Sequence, residues 1–207
     1  DINIPGDFSS AAFFILAALI NPNSEILLKN IGLNPTRTAL LDVLIKMGAD
    51  IQIKNIFNGY EPSGDILIKT SNLIGIDLDE KLVPNLIDEL PVLFVAAAFA
   101  SGETRIRGAQ ELRAKESDRL EAMSHSLKAL GVNFKLYSDG IDIEGQTKFN
   151  KSIKIDSFGD HRIAMASAIA CSRLDGENEI LNIENVSTSF PNFLDLSKAA
   201  GISIDIN

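Results

Sequence analysis

At 207 residues the chain is long enough for one large domain or two small ones. Its net charge of −9 excludes a general nucleic-acid binder, which needs a basic face, yet leaves room for a cleft where a few Arg and Lys bind a small anion. Hydrophobic residues make up 45% of it, but no run reaches the ~18 apolar residues of a membrane helix, so no membrane contact is expected.

In chain order, the first predicted element is a helix over 9–20 (SSAAFFILAALI), apolar all round and therefore buried. A β-like run follows at 24–32 (SEILLKNIG), then an amphipathic helix at 36–48 (TRTALLDVLIKMG) and a strand at 49–53 (ADIQI). The loop NIFNGYEPSGD leads into a further strand, ILIKT. The same order returns with PVLFVAAAFA at 91–100, GETRIRGAQ at 102–110, SDRLEAMSHSLKALG at 117–131 and VNFKLY at 132–137. It returns again with HRIAMASAIA at 161–170, ENEILNIENV at 177–186, FPNFLDLSKAAG at 190–201 and ISIDI at 202–206. Two sets of markers support the repeat. Asp7, Asp88 and Asp160 stand before the first helices, 81 and 72 residues apart, and Gly48, Gly131 and Gly201 end the second helices, 83 and 70 apart. Glycine is the expected stop because it takes the left-handed conformation cheaply. The expected fold is therefore α/β, with three repeated β-α-β-α-β-β units packed around buried helices, and no linker divides residues 1–207.

The single cysteine, Cys171, lies in AMASAIACSRL and makes an intrachain disulfide impossible, which fits a reducing, cytoplasmic setting. It reads as a small buried apolar residue rather than a reactive thiol. No signal-peptide pattern opens the chain, which begins at Asp1 rather than Met.

The chemistry gathers at helix starts, where free N–H groups and a partial positive charge favour anions. In GDHRIAMA, Asp160 is the expected N-cap, and His161 and Arg162 fall in the first turn of a buried helix. Arg162 in that place is either a surface ion pair or part of an anion receptor. In ELRAKESDRLEAM, Ser117 is the expected cap, and Lys115 and Arg119, four apart, share one side if the helix begins early. Glu116 sits between them, so its charged form is favoured; it belongs either to a salt-bridge network or to a proton-carrying site. Glu111 and Glu121 read as solvated. In IDELPVL, Asp88 takes the cap-like place of Asp7 and Asp160, and its unit also holds the 111–119 cluster.

The blocks PGDFSSAAFF, IDELPVL, ELRAKESDRL, GDHRIAMA and SFPNF, in that order, resemble the C-terminal motifs of the 5-enolpyruvylshikimate-3-phosphate synthases. The resemblance covers the whole chain but only about the C-terminal half of the family's length. It implies an enolpyruvyl transferase-like fold: a single C-terminal domain of a two-domain enzyme, whose N-terminal half is absent from this chain and is its expected partner. The implied reaction moves the enolpyruvyl group of phosphoenolpyruvate to the 5-hydroxyl of shikimate 3-phosphate, releases phosphate, and serves chorismate and aromatic amino-acid synthesis. It needs no cofactor and no metal. By position, Asp88 matches the acid that binds and deprotonates the 5-hydroxyl, and Lys115 a lysine contacting shikimate 3-phosphate. Glu116 matches an acid exchanging a proton with the methylene carbon. Arg119 and Arg162 match arginines holding phosphoenolpyruvate, with His161 a candidate behind them. Arginine forks suit both carboxylate and phosphate.

Two positions depart from the pattern. Thr188 stands where some members have Lys, and Glu111 where some have Asn. The family's remaining substrate-gripping residues belong to the absent half, so the chain alone is expected to be inactive. Two alternatives stand beside this reading. One is UDP-N-acetylglucosamine enolpyruvyl transferase, which uses a loop cysteine. The other is a non-catalytic binding domain of the same fold, which would lack the acids Asp88 and Glu116.

Overall fold

The computed structural model describes residues 4–206. Three helices form its centre: α1 (Phe8–Ile20), α3 (Leu90–Ala98) and α5 (His161–Cys171). All nine residues of α3 are buried, and α1 leaves only Ser10 partly open. The sequence accounts for this, since neither α1 nor α3 offers a polar stripe to water. Their alanines let the three helices pack against one another. Large side chains such as Phe13, Leu16 and Phe94 are buried in the core around them, each contributing about 1.5–3 kcal/mol by leaving water.

Each unit wraps a sheet around its central helix. The first has β1 (Glu25–Gly32), α2 (Ala39–Lys46), β2 (Asp50–Asn58) and β3 (Pro62–Lys69), in the order β1-β3-β2 with antiparallel pairing. Gly6 adds a parallel bridge to Ile31 on the outer side of β1. The second has β4 (Gly102–Ile106), α4 (Arg119–Leu130), β5 (Asn133–Leu136) and β6 (Ile141–Gly145), in the matching order β4-β6-β5. Ile74 bridges in parallel to Ser101, just before β4, and Asp77 to Arg105 within it, as Gly6 bridges β1. The third has β7 (Lys154–Asp156) paired in parallel with β8 (Glu179–Leu181), then α6 (Glu184–Ser189) and α7 (Phe193–Ala199). The repeat is thus present in topology in the first two units, and the third keeps its central helix, one parallel strand pair and the helices that follow.

The third unit departs from expectation in three ways. The β-like run 177–186 yields only three strand residues, because the chain turns into α6 at Glu184. The helix expected over 190–201 starts at Phe193, beyond Pro191, which cannot donate to a helix ladder. Residues 202–206 join no strand ladder among the described residues, so β8 keeps one edge unpaired. Phe190 and Phe193 anchor this unit by meeting Phe14 of α1 at centroid distances of 6.1 and 5.9 Å.

The stop glycines behave as expected: Gly48, Gly131 and Gly201 have φ of 93°, 80° and 82°. Among the described residues no helix is long and apolar enough to cross a membrane.

Candidate active site

Two of the three expected aspartate caps form. Asp7 accepts from Ser10 N at 2.8 Å, and Asp160 from Arg162 N at 2.9 Å. Both caps enter their helices from extended backbone, with ψ of 127° and 117°, as capping requires. The middle unit differs. The chain reaches α3 from a 3₁₀ turn, Glu80–Asn85, and the residue before Leu90 is Glu89 in helical conformation without a side-chain cap bond. Asp88 therefore caps nothing, and its carboxyl is left for other partners.

The segment before α4 also differs from expectation. A 3₁₀ turn, Gln110–Ala114, ends at Lys115, whose backbone is extended. Asp118 rather than Ser117 caps α4, accepting from Glu121 N at 3.0 Å. Ser117 instead donates to Asp160 Oδ2 at 3.1 Å. Because α4 starts only at Arg119, Lys115 and Arg119 do not share a helix face. They meet at Asp88 by different routes.

Arg119 is the centre of the cluster, with its side chain 1% exposed. Its Nε donates to Asp160 Oδ2 at 2.8 Å, its Nη1 to Asp88 Oδ1 at 3.2 Å and its Nη2 to Glu116 Oε2 at 2.5 Å. Lys115 Nζ lies 2.9 Å from Glu111 Oε1 and 3.6 Å from Asp88 Oδ1. Arg162 Nη1 donates to the Asp88 carbonyl at 2.8 Å, and its Nη2 lies 3.9 Å from Asp88 Oδ2. The structure thus brings Asp88, Lys115, Glu116, Arg119 and Arg162 into one connected cluster, with three cations around Asp88. Glu116 is flanked by one cation, Arg119, rather than by two.

These contacts set the charge states. Partial burial works against ionisation of Asp88, but Arg162, Lys115 and Arg119 outweigh it and hold the carboxyl below its ordinary value. The bond to Glu111 raises Lys115, so it stays charged. Burial pushes His161 down; Asp160 opposes this while Arg162 and Arg119 add to it, which favours a neutral imidazole. Glu111 and Glu121 are exposed, as expected, but each is paired: Glu111 with Lys115, and Glu121 with His125 at 3.4 Å. Thr188 lies exposed on α6. Cys171 sits at the end of α5, where burial pushes its thiol up to about 12. That is the opposite of what an activated cysteine needs.

Comparison with known proteins decides the family. The model of EPSP synthase (3-phosphoshikimate 1-carboxyvinyltransferase) matches residues 1–196. The chain belongs to the EPSP synthase family. It is 50% identical over 196 residues to a 3-phosphoshikimate 1-carboxyvinyltransferase of Bacillus cytotoxicus, covering 94% of this chain and 46% of that one. It is 51% identical over 194 residues to a relative of the same name from Legionella pneumophila, covering 93% and 44%. Among solved structures, an EPSP synthase from Acinetobacter baumannii superposes with a TM-score of 0.95 at 44% identity, covering 100% of this chain and 48% of that one. The enolpyruvyl transferase NikO from Streptomyces tendae matches at a TM-score of 0.76 and 15% identity, a likeness of fold alone. The chain spans about half the length of these EPSP synthase relatives.

Glu89, Ser9 and Arg37 extend the cluster beyond the expected site residues. Glu89 is 3% exposed, accepts from Ser9 Oγ at 2.5 Å and lies 3.6 Å from Arg162 Nη1. Burial raises it; the Ser9 bond and the charges of Arg162 and Arg37 oppose this, while Asp88 adds to it. In IDELP its one signal was adjacency to Asp88, and two neighbouring acids before a proline both look like caps.

Proposed function

We propose that this chain is one domain of a two-domain EPSP synthase and forms one wall of its catalytic cleft. The full enzyme transfers the enolpyruvyl group of phosphoenolpyruvate to the 5-hydroxyl of shikimate 3-phosphate and releases phosphate. The observation that carries this reading is Asp88: a carboxylate freed from capping, kept ionised by three cations and 39% exposed.

The chemistry follows from atom balance. Asp88 takes the proton of the 5-hydroxyl as its oxygen bonds to C2 of phosphoenolpyruvate. The C2–C3 double bond gives its electron pair to a proton delivered at C3, and Glu116, with a side chain 54% exposed, is the acid for that transfer. Loss of a proton from the C3 methyl group back to the Glu116 carboxylate then re-forms the double bond as the C2–O bond to phosphate breaks, and the phosphate leaves with the proton that Asp88 took. Two separate titratable groups are needed, because one proton leaves oxygen while another arrives at carbon. Arg119 and Arg162 face the donor's carboxylate and phosphate, and Lys115 the acceptor. In the structure every one of these cations has a carboxylate partner, so substrate anions replace Glu116 and Glu111, the two most exposed acids. His161 supports the arginines as a neutral donor or acceptor. No step calls for a cofactor, and the setting is the cytoplasm.

The test is turnover by the full-length enzyme with shikimate 3-phosphate and phosphoenolpyruvate, read by phosphate release and compared with this chain alone. Activity in the full protein and none in this chain supports the reading. Turnover by this chain alone would overturn the need for a second domain, and absence of turnover by the full protein would overturn the activity. UDP-N-acetylglucosamine as a competing acceptor separates this enzyme from the related transferase.

A further inference from the structure

The proposed reaction leaves one acid of the site without a task. Glu89 is buried at the start of α3, where every following helical residue is apolar and buried. Burying a carboxylate is costly, and an apolar residue of similar size usually stabilises as well or better. Packing therefore does not account for an acid at this place.

Its contacts supply a reason. On one side, Ser9 of α1 donates to Glu89 Oε1 at 2.5 Å. Arg37 Nη2 in turn donates to Ser9 Oγ at 2.9 Å, which leaves the hydroxyl proton directed at Glu89. On the other side, Arg162 Nη1 of α5 lies 3.6 Å from Glu89 Oε1 and donates to the Asp88 carbonyl at 2.8 Å. The Arg162 side chain is 15% exposed, so its head group is held by these neighbours rather than by water. Glu89 thus joins the starts of all three central helices.

We propose that Glu89 is a positioning residue for Arg162. The Asp88 carbonyl accepts from Nη1 at 2.8 Å and the Glu89 carboxyl attracts the same nitrogen from 3.6 Å, which together turn Nη2 toward the Asp88 carboxyl, where donor and acceptor substrates meet. The inference rests on the reading that Arg162 binds phosphoenolpyruvate. Holding such a group in place before binding removes an ordering cost and an orientation error, and a misplacement of about 1 Å can cost ~10²-fold.

The experiment compares Glu89→Leu, which removes the polar carboxyl beside Arg162 but suits a buried position, with Glu89→Gln, which keeps an oxygen of the same reach. Both are made in the full-length enzyme. Glu89→Leu is expected to raise the phosphoenolpyruvate KM and calorimetric Kd by about 10–100-fold, leaving shikimate 3-phosphate affinity unchanged. Glu89→Gln is expected to restore the phosphoenolpyruvate values to within about threefold. Unchanged phosphoenolpyruvate binding in Glu89→Leu would overturn the inference, as would equal losses for both substrates or no rescue by Gln. Wild-type enzyme that binds phosphoenolpyruvate without turnover would overturn the activity alone, because calorimetry still scores Glu89. Wild-type enzyme that does not bind phosphoenolpyruvate would overturn both.

Discussion

Arg119 and Asp160 lie 41 residues apart in the chain and meet at 2.8 Å, with side chains 1% and 0% exposed. A pair so buried is stable only while both partners are present. Asp160→Ala is therefore expected to destabilise the full-length enzyme by about 2–4 kcal/mol, because it leaves the buried Nε of Arg119 without its acceptor and removes the cap of α5, while Asp88 and Glu116 still balance the charge. Chemical unfolding measures this. Combining it with Arg119→Met should recover part of the loss, and a loss well under about 1 kcal/mol for the single change would contradict the burial of the pair.

Asp88 owes its lowered pKa to three cations acting against partial burial. Removing one weakens that opposition, so Lys115→Met should move Asp88 upward, toward the ordinary carboxylate range. Carboxyl-carbon NMR of aspartate-labelled enzyme reads the shift directly. A resonance that titrates at the same pH in both proteins would show that Lys115 does not act on Asp88.

Glu116→Gln keeps size and a hydrogen bond to Arg119 but cannot exchange a proton. Turnover should fall by about 10²–10⁴-fold while shikimate 3-phosphate affinity is largely kept. Steady-state kinetics beside calorimetry separates the two. An unchanged kcat would remove Glu116 from the proton transfer.

With its thiol pushed up to about 12, Cys171 should be almost wholly protonated at pH 8. Iodoacetamide is expected to modify the native enzyme much more slowly than the unfolded chain and to leave turnover unchanged. Rapid modification with loss of activity would contradict this.

The repeat, the buried helices and the glycine stops were legible because each depends on residue type at a local spacing. The cluster around Asp88 was legible in part from the repeat, which put Asp88 in the same unit as residues 111–119, while its link to Arg162 and the role of each member came through the resemblance. The failures were also local. Ser117 and Asp118 are both good caps, and the choice between them follows from Asp160, which takes Ser117 as a donor. Asp88 missed its cap because a 3₁₀ turn delivers the chain to α3 in helical conformation, and nothing in IDELP reveals that. The third unit misled because a β-like run can be ended early by the helix that follows it.

Asp160 accepts from Ser117 Oγ, from two nitrogens of Arg119 and from the amide of Arg162, and its side chain is wholly enclosed. Its lone pairs are therefore occupied before any substrate arrives. An acid so saturated is chemically silent although it lies at the centre of the site. What it transmits is mechanical: the same carboxylate pins the first turn of α5 and the guanidinium of α4, so Arg119 and Arg162 keep a common frame when anions come and go. In the proposed reaction, exchange with those anions falls to Glu116 and Glu111, the more exposed acids of the cluster.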